Sequence, residues 1–101
     1  MDLNHNLVIG CPLCEIYLSK NIYTKLHYPI LEKVDEVDFV ILDCATCKVP
    51  MVVIRDHVSE VSKELWGRIL YQSKRMFGNV QLRCESRLIK DHYHCHLVRG
   101  R

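Results

Sequence analysis

At 101 residues the chain is long enough for one hydrophobic core and too short for two. Apolar residues make up 49% and charged residues 26%, which excludes the low-hydropathy, high-charge composition of a disordered segment. A net charge of +2 gives no strongly basic face, so a nucleic-acid partner is not expected. Residues 1–10 read as an arm without the basic start and apolar core of an export signal, and residues 11–101 as a single domain without repeat or linker. No run of about 20 apolar residues suits a membrane span. The expected setting is therefore the cytoplasm, where the six cysteines are expected as thiols or metal ligands.

In chain order, the first landmark is Cys11-Pro12-Leu13-Cys14, a tight thiol pair that a short helical turn can follow. Tyr23–Ile30 and Val37–Leu42 are rich in aromatic and β-branched residues and predict strands, with the acidic Glu32–Glu36 stretch between them. Val49–Arg55 is a near-continuous apolar run, as in a strand buried on both faces. A helix is predicted over 62–77, where Leu65, Trp66, Ile69, Leu70, Ser73, Met76 and Phe77 recur at spacings of three and four. Ser62 suits its N-cap and Gly78 its left-handed stop. Asn79–Cys84 and His92–Val98 predict the last two strands. The order of elements points to an α+β fold with an antiparallel sheet of about five strands and one long helix.

The pattern richest in chemistry is Asp91-His92-Tyr93-His94-Cys95-His96-Leu97-Val98. On a strand, side chains alternate between faces, so His92, His94 and His96 share one face and Tyr93, Cys95 and Leu97 the other. Three aligned imidazoles suit either a metal site with an open position or a nucleophile supported by its neighbours. Cys11 and Cys14 supply half of a tetrahedral ligand set.

The segment Pro50-Met51-Val52-Val53-Ile54-Arg55-Asp56-His57 resembles the strand-to-loop segment of histidine-triad (HIT) proteins, and His92-x-His94-x-His96 resembles the motif that names that family. The C-x2-C pair is similar to that of bacterial HIT proteins and of the related hexose-phosphate uridylyltransferases. The resemblance spans residues 11–99 and implies a HIT-like fold with a short N-terminal zinc knuckle. It implies structural Zn2+ on Cys11, Cys14, His57 and His92, and a nucleotide or nucleoside phosphate ester as ligand. It further implies His94 as nucleophile in a hydrolase or nucleotidyl transferase, His96 as assistant, Asp43 as a ribose ligand, and a homodimer. The Gly-Gln-Ser/Thr stretch of the family is replaced here by Cys84-Glu85-Ser86-Arg87-Leu88-Ile89-Lys90-Asp91. Ser86, Arg87, Lys90 or backbone amides are therefore the expected phosphate contacts, and Arg99 is a further expected substrate-binding residue.

Two alternatives stand beside this reading. One is a catalytically silent nucleotide-binding HIT module, and the other a four-cysteine zinc ribbon, for interaction or nucleic-acid binding, joining Cys11 and Cys14 to Cys44 and Cys47. Cys84 and Cys95 are expected to be small buried apolar residues and His5 and His27 surface residues. Trp66 and Tyr71 are expected in the core or an interface, and Met51 and Met76 in the core.

Overall fold

The structure is a computed structural model that describes residues 11–18, 24–44, 48–56, 58, 60–84 and 92–99. The arm at residues 1–10 lies outside them, as do His5, Cys47, His57, Ser86, Arg87 and Lys90.

Helix α1 (Pro12–Leu18) begins inside the C-x2-C pair rather than after it. The Glu15 N–H donates to the Cys11 carbonyl at 3.0 Å, so Cys11 caps the helix and Cys14 sits in its first turn. Pro12 at the first helical position loses nothing, because that N–H has no helical partner. Strand β1 (Leu26–Tyr28) is shorter than predicted, and its register against β2 (Phe39–Asp43) slips between Leu26 and Tyr28. The slip leaves His27 as an extra residue, as in a bulge. The acidic connection folds as a 3-10 helix over Leu31–Glu36.

Strand β3 (Pro50–Ile54) is buried from Met51 to Ile54, matching its continuous apolar run. Helix α2 (Lys63–Phe77) starts and stops where the sequence places it: Ser62 Oγ accepts from Leu65 N–H, and Gly78, at φ 73°, donates its N–H to the Lys74 carbonyl. Strands β4 (Val80–Arg83) and β5 (His94–Arg99) complete an antiparallel sheet of order β1-β2-β3-β5-β4. Among the described residues no helix is long and apolar enough to cross a membrane.

Alternation along the strands divides the core into two layers. Val40, Leu42, Met51 and Val53 face α1 together with Val34 of the 3-10 helix. Phe39, Ile41, Val52, Ile54, Cys95 and Leu97 face Ile69 and the apolar side of α2. On α2, Ile69 and Ser73 are buried, whereas Met76, expected in the core, is 37% exposed in the helix's last turn. Tyr71, expected in the core or an interface, is 66% exposed, because two residues beyond Ile69 it points to the other side of the helix, off the apolar stripe.

Cys84 and Cys95 correct a second expectation, since they form a disulfide rather than two separate buried thiols. The pairing Arg83↔His96 makes Cys84 and Cys95 the next cross-strand pair, with Cα atoms 4.0 Å apart. Strand register brings the sulfurs together, and register is not written in spacing alone.

Closing an 11-residue separation should contribute about 2–3 kcal/mol, so Cys84→Ser is expected to lower the urea midpoint by that equivalent. Identical unfolding curves for the variant and the oxidised wild type would refute the brace. Ser73 Oγ is buried without a hydrogen-bond partner among the described residues. Ser73→Ala should therefore stabilise by about 1 kcal/mol, raising Tm by about 4–8 °C in calorimetry, whereas a lowered Tm would mean that the hydroxyl is satisfied.

Candidate metal centre and histidine row

The N-terminal helix is fastened to the sheet by polar contacts within its apolar layer. The Tyr17 hydroxyl donates to the Val53 carbonyl at 2.6 Å, and the Arg55 guanidinium lies 5.4 Å from the Tyr17 ring centre while donating to the Val34 carbonyl. Burial holds the Tyr17 phenol well above its ordinary pKa, against the opposing pull of Arg55. This fastening fixes where the first turn of α1, with both thiols, meets the end of β3.

There the thiols meet His92, a fully buried imidazole just before β5. Its Nε2 lies 2.7 Å from the Ile54 carbonyl, an acceptor, so Nε2 carries the proton and Nδ1 the lone pair. That lone pair faces Cys14 Sγ at 3.3 Å and Cys11 Sγ at 3.6 Å. A tetrahedral ion with zinc-length bonds holds sulfur and nitrogen about 3.6 Å apart, so the three donors already have the spacing of a ligand set. All three are buried, their ligand atoms lie within 4.8 Å of one another, and they could hold a metal ion. The backbone carbonyl on the far ring nitrogen is the usual support of a metal-bound imidazole.

The fourth expected ligand, His57, lies outside the described residues, between Asp56 and Val58. Cys44 does not join the cluster: it follows β2 at the end opposite Phe39, whereas the cluster sits at the Ile54 end of β3, and those ends are separated by the length of the strands. Among the described residues, Cys44 thus lies apart from Cys11 and Cys14; Cys47 is outside them.

His94 and His96 extend the row along β5 on the face that carries α1. His94 is the cross-strand partner of Val53, and His96 that of Met51, both members of the α1 layer. His94 Nδ1 donates to the His92 carbonyl at 2.9 Å, which leaves the lone pair on Nε2. The His94 and His96 rings stand edge to face with centres 5.9 Å apart. Partial burial lowers the His96 pKa, and the charges of His94 and Arg83 lower it further. Tyr93 and Cys95 take the opposite face, Tyr93 against Trp66 of α2. Partial burial raises the Tyr93 pKa.

Other expected site residues fall elsewhere. Asp43 accepts a 2.7 Å hydrogen bond from His27 Nε2, and the His27 ring packs edge-on against Phe77 of α2. Asp43 therefore sits on the α2 face, and His27, expected at the surface, is held in a carboxylate pair at the edge of the core. Arg99, exposed at the end of β5, also falls on the α2 side by alternation with Cys95 and Leu97. The structure brings neither to the histidine row. It brings Arg83 there instead, as the cross-strand partner of His96 on β4, a position that only the pairing of β4 with β5 reveals.

Comparison with protein-family models, curated proteins and solved structures finds no match to this chain.

The donor geometry predicts one tightly bound divalent metal ion per chain. Cobalt(II) titration should give thiolate-to-metal absorption that is lost in Cys14→Ala and His92→Ala and kept in Cys44→Ala. Equal binding by all four proteins, or loss only in Cys44→Ala, would place the metal elsewhere.

Proposed function

We propose that this protein is a HIT-type nucleotide hydrolase or nucleotidyl transferase, with His94 as its nucleophile. The observation that carries the reading is the proton arrangement of His94. Its Nδ1–H is committed to the His92 carbonyl, so Nε2 holds a lone pair on a fixed ring, as a nucleophilic imidazole needs. The resemblance of His92-x-His94-x-His96 to the histidine triad supplies the substrate class, and the alternation of β5 supports the shared face.

In this reading Cys11, Cys14 and His92, with His57 as the fourth ligand implied by the resemblance, would hold zinc. The ion would supply structure, and His92, tied to the thiols of α1, presents the carbonyl that orients His94. His94 Nε2 attacks the α-phosphorus of a nucleoside phosphate ester, forming an N–P bond as the bond to the leaving group breaks. His96 donates a proton to the departing atom. In the second step water attacks phosphorus, the N–P bond breaks, and His96 takes the water's proton. Lowering of the His96 pKa makes its imidazolium a stronger acid for the first step.

A second reading is favoured by two observations: His94 is only 8% exposed, and the family's Gly-Gln-Ser stretch is replaced by residues 84–91. That reading is a module that binds nucleotide without turning it over.

Zinc-loaded protein incubated with diadenosine triphosphate and acid-quenched should carry one nucleoside monophosphate on His94, seen by intact mass and peptide mapping. His94→Ala should lose this adduct and the steady-state activity, and His96→Ala should turn over about 10²–10⁴-fold more slowly. Undiminished activity in His94→Ala would overturn the nucleophile assignment. Wild-type binding without adduct or turnover would leave the silent module.

A further inference from the structure

The cover that α1 lays over its face of the sheet stops at β5. It reaches Val40, Leu42, Met51 and Val53, and His94 lies at its border, nearly buried. On the same face, no described element lies over the next rows: His96 and Val98 are half-buried, and Gln81 and Arg83 are exposed. Among the described residues, Arg83 is the cation on these rows.

Arg83 is also held in place. It is the last residue of β4, directly opposite His96 in the ladder, and the next cross-strand pair is the Cys84–Cys95 disulfide. Cys95 lies between His94 and His96. The covalent bridge and the strand pairing together fix the Arg83 backbone beside both imidazoles, so a bound anion need not order that backbone.

We infer that Arg83 is a specificity-determining residue that clamps a negatively charged leaving group, so that phosphoanhydrides, whose leaving group is itself a phosphate, are favoured over phosphoramidates. This inference rests on the HIT reading of His94 and His96. In an in-line displacement the leaving group departs on the side away from His94 Nε2, where the acid His96 acts, and charge beside that acid is charge beside the leaving group. A phosphate leaves as an anion that a guanidinium can hold through two hydrogen bonds. An amine departs protonated and without negative charge, so it offers the guanidinium nothing to hold. One cation thus helps the first class and is of no help to the second. It also offers a phosphate contact in a chain that lacks the family's Gly-Gln-Ser stretch.

The test is kcat/KM of the zinc-loaded protein for diadenosine triphosphate and for adenosine 5′-phosphoramidate, in wild type, Arg83→Gln and Arg83→Lys. Loss of one charge-assisted contact predicts a fall of about 10–100-fold on the anhydride in Arg83→Gln. The phosphoramidate rate should be unchanged or raised, and Arg83→Lys should recover part of the anhydride rate. Equal losses on both substrates, or no loss on the anhydride, overturn the inference while leaving His94 chemistry intact. In a protein that binds without turnover, Kd for ADP against AMP gives the same answer. Tighter binding of ADP that disappears in Arg83→Gln supports the clamp, and equal affinities, or no binding of either nucleotide, overturn it.

Discussion

A single buried imidazole joins the two ends of this chain. His92 donates a hydrogen bond from one ring nitrogen to the Ile54 carbonyl and turns the other nitrogen toward the sulfurs of Cys11 and Cys14. Helix α1, of seven residues, is too short to be stable alone, so its position depends on what it is tied to. Apolar packing and the Tyr17 bond hold its side, and His92 holds its first turn. The carbonyl of the same residue then sets the His94 ring, so the metal-competent cluster and the proposed nucleophile are consecutive links in one chain of hydrogen bonds.

The sheet separates two kinds of work. On the α2 side an apolar layer, a capped helix and the His27–Asp43 pair maintain the fold. On the α1 side lie the thiols, the three imidazoles and Arg83. Strand β5 serves both, because its side chains alternate: Cys95 and Leu97 pack under α2 while His94 and His96 face the other way. A ligand met by the imidazoles can thus be handled on one face without opening the core on the other.

Features that depend on local period or local chemistry were legible in the sequence. The N-cap Ser62 and stop Gly78, the buried run of β3 and the alternation of His94 and His96 follow from helix and strand geometry, although β5 starts at His94 and leaves His92, expected on the strand, just before it. The approach of His92 to Cys11 and Cys14 was legible only through the resemblance to HIT proteins, since spacing alone supplied two ligands and left the others open. What stayed hidden depends on pairing between distant segments. Cys84 meets Cys95, and Arg83 meets His96, only because β4 and β5 align in one register. His27 meets Asp43 because β1 carries an irregularity. Met76 continues the apolar stripe into the last turn of α2 yet stays partly exposed, a matter of tertiary fit that periodicity does not encode.

The bridge from Cys84 to Cys95 acts together with His92 as a phase lock. A strand that slides by one residue exchanges its two sides completely. For β5 that slide would drive two imidazoles into the oily layer beneath α2 and lift Leu97 toward the opposite helix. One tether at the entrance of the strand, through a side chain on the α1 side, and another within it, through a sulfur on the α2 side, leave no room for such a slide. The strand's handed pattern is thereby decided twice, once by each face.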